Sequence, residues 1–173
     1  MQQLGKLAES IAADSGELAM ATVTHARLGA AAFGVAPGDA ELWVTLRCLL
    51  DDRMAALDAA VRALVADVAT VHRLKPEIFV SDDFRHCENS PAAVALLRRA
   101  LERRGIAHGP SGLPMRASED FGRFGDRAES AMLFLGAGED RPALHNSDYD
   151  FPDALIPQGV GIFHDVARQL LKG

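Results

Sequence analysis

Two short stretches hold the residues best suited to chemistry. Residues 144–151 read Leu-His-Asn-Ser-Asp-Tyr-Asp-Phe, which sets His145 among acids. Neutral imidazole binds zinc well, and a nearby carboxylate can orient its ring. The competing reading is a histidine on a surface loop. Residues 117–121, Ala-Ser-Glu-Asp-Phe, put Glu119 and Asp120 directly behind a serine. That order either opens a helix with acids in its favourable first turn or lines a cleft with carboxylates. One histidine does not make a zinc site, which takes about four ligands, and no HxxxH, HxH or CxxC spacing supplies the rest. His72 falls at a helix end, while His86, His108 and His164 read as solvated. There is no GxGxxG, GxxxxGK[ST] or GxSxG, so a nucleotide fingerprint and a serine-hydrolase elbow are both excluded.

A third feature is a surface rather than a motif. Residues 40–48 (AELWVTLRC) alternate as a strand. Leu42, Val44, Leu46 and Cys48 share one face, and Glu41, Trp43, Thr45 and Arg47 share the other. The first face suits a core. The second, with an arginine and the chain's single tryptophan, suits contact with a ligand or partner.

The elements that must carry these residues follow from periodicity. Residues 2–13 have apolar positions at helical spacing, and residues 20–28 alternate as a strand. The glycines and Pro37 of residues 29–38 make a connection. Asp51 or Asp52 can cap a helix whose stripe is Met54, Leu57, Val61, Leu64, Val68 and Val71. Glu77–Val80 reads as a further strand. Helix, strand, strand, helix, strand is most of a βαββαβ unit, one lacking its first strand. Polar residues 81–91 mark a boundary. Beyond it come a helix over 91–104, an apolar run at 131–135 that suits a strand covered on both faces, and a helix over 160–171. One buried strand and two helices do not make a sheet core, so this half reads as the end of a larger α/β domain. The expected class is therefore α/β, with domains at 1–80 and 81–173.

Composition narrows the function. The chain has 173 residues, is 49% hydrophobic and 24% charged, and carries a net charge of −6. It can build a core, and its acidity argues against nucleic acid or an anionic membrane as partner. No apolar run approaches the ~20 residues of a membrane span. The first residues lack a signal-peptide h-region, and Cys48 and Cys87 show no disulfide pattern, both of which point to the cytoplasm.

In order along the chain, FGVAPGDAELWVTLR (33–47), ASEDFGRF (117–124) and FLGAGEDRPALHNSDYDFPDALIPQGVGIF (134–163) resemble the C-terminal part of the zinc amidohydrolases that include hippurate hydrolase, auxin-conjugate hydrolases and carboxypeptidase G. The resemblance spans roughly residues 20–171. It implies a lid, or dimerisation, domain of βαββαβ type at 1–80 and the last stretch of a zinc-binding α/β domain at 81–173. It further implies hydrolysis of the amide bond of an N-acyl amino acid or related small amide, with zinc or another divalent metal as cofactor and a homodimer formed through the lid. By motif, His145 resembles the last metal ligand, Glu119 the acid of a loop near the metals, and Gly136 and Gly138 the glycine-rich loop beside the substrate. Arg47 resembles the lid arginine that holds the substrate carboxylate. Gly34 stands where many relatives carry asparagine, and His25 on the neighbouring strand is a candidate replacement. The resemblance places most metal ligands and the general base upstream of these residues. The chain is thus expected to bind no metal tightly and to be inactive alone, with no catalytic residue assigned. The alternative is a non-catalytic dimerisation module, a remnant of that family.

Overall fold

The computed structural model describes residues 2–16 and 18–171, with the backbone alone at residue 15. The chain is of mixed α/β class. Its elements are α1 (Gln2–Ser15), β1 (Ala19–Leu28), β2 (Ala40–Cys48), α2 (Asp51–His72), α3 (Pro91–Arg103), a 3-10 helix (Asp120–Asp126) and α4 (Leu155–Leu171). They divide into two compact units, residues 1–86 and 87–173.

In the first unit β1 and β2 form an antiparallel hairpin, with Ala19 opposite Cys48 and Leu28 opposite Ala40. The Gly29 N–H donates to the Asp39 carbonyl at 2.9 Å and closes the connection. Helices α1 and α2 pack on the hairpin and on each other. Leu4 and Ala8 of α1 and Leu57 and Ala69 of α2 are buried, and Ala19, Ala21 and Val23 are half-buried while Met20 and Thr22 between them are exposed. Full burial of a leucine such as Leu57 contributes about 1.5–3 kcal/mol.

The long stripe of α2 is only partly used. Leu57 is buried and Met54, Val61 and Leu64 are half-buried, but Val68 and Val71 are exposed. Ala69 near its C-terminal end is nonetheless buried, so the covered face is carried there by alanine rather than by the valines of the stripe. The expected cap at Asp51 or Asp52 is also corrected. Leu50 holds the N-cap position without a side-chain bond, and both aspartates lie in the first turn, where they favour the dipole.

Two expected strands do not form among the described residues. Glu77–Val80 is irregular, with Phe79 86% exposed. Residues 131–135 are irregular as well. A strand exists by its ladder, and neither run has a neighbouring strand to pair with. The prediction that 131–135 is covered on both faces also fails. Leu133 and Leu135 pack against the core of the second unit, but Phe134 between them is 48% exposed.

That core is Ala100 and Leu101 of α3 with Ile162 of α4, and Leu97, Ile106 and Val166 pack around it. Ser90 caps α3, accepting from the Ala93 N–H at 3.2 Å, and Pro91 fills the first helical position. Helix α4 starts five residues earlier than periodicity indicates. Pro157 sits in its first turn, where the missing N–H has no helical partner to lose.

Candidate functional site

The exposed face of the hairpin is organised by one irregularity. The ladder pairs Val23 with Val44 and then His25 with Trp43, leaving Thr24 as an extra residue in β1. Such a bulge reverses the alternation beyond it. Strict alternation from Val23 would put His25 on the helix-covered face, and the bulge turns it to the opposite one. A single row results, with Met20 opposite Arg47, Thr22 opposite Thr45, His25 opposite Trp43 and Arg27 opposite Glu41. The structure therefore brings the two lid candidates, His25 and Arg47, to one face.

Within that row Trp43 is held from two sides. Its indole N–H donates to Glu41 Oε1 at 2.6 Å, and the His25 ring lies against it with centroids 4.8 Å apart and planes tilted by 49°. Arg27 donates to the other oxygen of Glu41 at 3.3 Å and pairs with Asp39 at 3.5 Å. The indole N–H first, and then the Arg27 guanidinium, hold the Glu41 carboxyl below the usual carboxylate range. The tryptophan nonetheless remains 57% exposed. Alternation alone identified the face; the Glu41 tether and the bulge left no signal in it.

The second unit carries the other candidates. Glu119 is extended, at φ −141°, and precedes the 3-10 helix without a capping bond, so the helix-start reading of Ser118-Glu119-Asp120 is right in place and differs in helix type. Its charge reaches the Cys87 thiol, which is pushed up first by burial of the thiol and then by Glu119. Gly136 and Gly138 follow the 131–135 run, and Gly138 at φ 100° adopts a conformation that other residues resist. His145 is exposed and has φ 73°, in the left-handed region. It stands in a turn where the Asn146 N–H donates to the Ala143 carbonyl at 3.0 Å. A non-glycine residue held there costs on the order of 1 kcal/mol, the kind of strain that clusters at functional positions.

Sequence reasoning missed two polar anchors. His86, expected to be solvated, contacts Asp51 twice: its N–H donates to Oδ1 and its Nδ1 lies against Oδ2, both at 2.8 Å. Arg85 Nε adds an ion pair to Oδ2 at 3.3 Å. Asn89, in the segment read as a polar boundary, binds both backbone groups of Met132.

Among the described residues no three of the histidines, cysteines and carboxylates come together to hold an ion. No hydrogen bond or ion pair joins Glu119 to His145 among them. The described residues do not by themselves fit a two-zinc centre.

With this geometry in view, residues 9–169 match the peptidase family M20/M25/M40. The chain belongs to that family, whose members are metal-dependent hydrolases. No solved structure matches it. No described helix is long and apolar enough to cross a membrane.

Proposed function

We propose that this chain is the lid and C-terminal catalytic portion of a zinc-dependent amidohydrolase that cleaves N-acyl amino acids, similar in its motifs to hippurate hydrolase, auxin-conjugate hydrolases and carboxypeptidase G. The lid is residues 1–80 and the catalytic portion 81–173. The observation that carries the substrate class is the hairpin row, in which Arg47 shares an exposed face with the His25–Trp43 pair. A guanidinium holds a carboxylate through two parallel hydrogen bonds, a geometry that lysine cannot match. Arg47 binds the substrate carboxylate and His25 borders the same ligand. Glu119 and the Gly136–Gly138 loop flank the scissile amide, and His145 is the one metal ligand contributed by these residues. The remaining ligands and the general base belong to polypeptide outside the 173 residues, so the chain by itself is inactive toward N-acyl amino acids. In the cytoplasm two copies pair through their lids. Light scattering at about 100 μM, a concentration that reveals even a weak interface, should show the dimer mass.

The test is binding of an N-acyl amino acid and of its carboxamide analogue to the chain and to Arg47→Lys. The acid should lose affinity in Arg47→Lys and the carboxamide should not. Equal effects on both reject the carboxylate anchor.

A further inference from the structure

Strand β2 keeps one edge open. The Leu49 N–H donates to the Leu18 carbonyl at 3.2 Å and the Gly29 N–H to the Asp39 carbonyl at 2.9 Å, which fixes the hydrogen-bonding phase of the hairpin. In an antiparallel pair every second residue turns its backbone groups to the partner strand, and the others turn theirs away. Glu41, Trp43, Thr45 and Arg47 therefore face β1 in the ladder, and Leu42, Val44 and Leu46 hold their N–H and C=O groups outward. Among the described residues the sheet has two strands, and nothing pairs with that edge. Leu42 is exposed there, although its face is the one that α2 covers, and Val44 and Leu46 are only half-buried. A second extended segment lies open in the same unit. β2 ends just before α2 begins, and His86 comes back to bond Asp51 in the first turn of α2. From His72 the chain must travel back the length of that helix, about 33 Å. The residues between His72 and His86 cover about 43 Å when extended but only about 20 Å when helical, so the return is largely extended. It heads for the same end of α2 as β2 does, so Glu77–Val80 runs parallel to β2. Its Ile78, Phe79 and Val80 are exposed.

We infer that the free edge of β2 and the Glu77–Val80 run are the two sides of a slot that takes one extended peptide strand, antiparallel to both, with apolar residues at alternate positions. Strand, helix and parallel strand leave a place between the strands when these do not pair with each other. An open edge is a template for another chain, and main-chain hydrogen bonds supply the affinity of strand addition. The side chains of the slot set the peptide's sequence. Residues level with Leu42, Val44 and Leu46 lie on the α2 side, where Val61 and Leu64 are half-buried and Val68 is exposed, and they are apolar. Residues level with Glu41 and Arg47 lie on the opposite face, and cross-strand pairs there favour opposite charge. An antiparallel strand meets Arg47 first and Glu41 last, so its acid is N-terminal and its base C-terminal. The slot is independent of the reading of Arg47 as a substrate anchor.

The probe is acetyl-Glu-Val-Thr-Val-Thr-Val-Lys-amide, added to the whole chain and followed by amide hydrogen exchange in NMR. The N–H groups of Leu42, Val44 and Leu46 should exchange freely in the chain alone and become protected with the peptide. Those of Trp43 and Thr45, already in the ladder, should change little. In this register the valines of the peptide turn their N–H groups to β2 and its threonines turn theirs to Glu77–Val80. N-methylation of the valines should therefore weaken binding at least about tenfold and abolish protection at β2. N-methylation of the threonines should weaken binding while leaving that protection in place. Exchanging the terminal Glu and Lys should weaken binding a few-fold. The proposal is overturned if no peptide protects the three amides, if the valine-methylated peptide binds as well as the parent, or if protection appears at β1 instead. Protection of the same amides on raising the protein concentration without peptide would give the slot to a second copy and overturn it as well. Equal binding of the charge-exchanged peptide would reject the antiparallel direction.

Discussion

Asn89 grips Met132 by both backbone groups: Oδ1 accepts the Met132 N–H at 2.8 Å, and Nδ2 donates to the Met132 carbonyl at 3.2 Å. The side-chain amide copies the pairing that a neighbouring strand would give. Alongside, the Ser90 N–H donates to the Ser130 carbonyl at 2.8 Å. Together these bonds hold residues 130–132 in place without a ladder, with Leu133 and Leu135 directed onto the α3–α4 core.

The amide is therefore expected to be irreplaceable. Asn89→Ala should cost about 1–3 kcal/mol, the sum for two partly buried hydrogen bonds. Asn89→Asp keeps the acceptor but turns a second oxygen toward the Met132 carbonyl, and it should cost at least as much at neutral pH. Urea melts of the three proteins measure this. An Asn89→Ala protein as stable as the parent would show that the grip contributes nothing, and an equally stable Asn89→Asp protein would show that the Nδ2 bond contributes nothing.

Helix α4 offers a paired test at two glycines. A Cβ at Gly159 meets nothing, whereas one at Gly161 runs into the Arg104 guanidinium, which is ion-paired to Asp165 at 3.0 Å. Alanine in place of glycine within a helix is worth about 1 kcal/mol. Gly159→Ala should gain that in full. Gly161→Ala must displace the guanidinium from Asp165, which offsets the gain, so its net change should stay within about 0.5 kcal/mol. With Arg104→Ala already in place, Gly161→Ala should become stabilising by about 1 kcal/mol. A failure of additivity between positions 104 and 161 is the required signature, and strict additivity rejects it.

Much of this architecture was legible because it rests on local pattern. The alternation of residues 40–48 gives both the strand and its two faces, and Ser90-Pro91 announces the start of α3. What escaped depends on partners distant in sequence. Glu77–Val80 and residues 131–135 have strand composition, but strand formation needs a neighbour that periodicity cannot report. The bulge at Thr24 was invisible because threonine suits a regular strand as well as an irregular one, and with it went the orientation of His25. Either Asp51 or Asp52 suits a cap by pattern, because an aspartate before an amphipathic run usually is one. The actual partner of Asp51, His86, lies 35 residues away.

That Asp51–His86 contact predicts an acid limb of stability for the first unit. Burial raises the Asp51 carboxyl, but the His86 N–H and imidazole, with Arg85, outweigh it and hold the group below its ordinary value. A carboxyl whose folded value is depressed stabilises the fold above its unfolded value, near pH 3.9, and loses that contribution as pH falls through the folded value. Melting temperature followed from pH 6 downward should therefore drop below about pH 4, and Asp51→Asn should flatten that part of the curve. At pH 7 the same substitution should cost about 1–2 kcal/mol through the lost charge-assisted bonds. A native acid limb that is unchanged in Asp51→Asn would assign it to other carboxyls.

Glu119 can be located by its effect on Cys87. Only the thiolate reacts with an alkylating agent, so a thiol pushed up by burial and by a neighbouring negative charge reacts slowly. Burial is the larger cause and survives mutation, so Glu119→Gln should speed alkylation of Cys87 by iodoacetamide at pH 8 by only a few-fold. Cys48 is also pushed up, by burial and then by Asp52, and would blur the measurement, so both proteins carry Cys48→Ser. The acceleration should shrink as salt is added, because the interaction reaches the thiol partly through solvent and screening shortens it to about 3 Å at 1 M. Glu119→Asp, which keeps the charge, should leave the rate close to the parent's. Equal rates for the parent and Glu119→Gln at low salt would mean that the Glu119 carboxylate points away from Cys87, and its placement beside that end of the second unit would have to be abandoned.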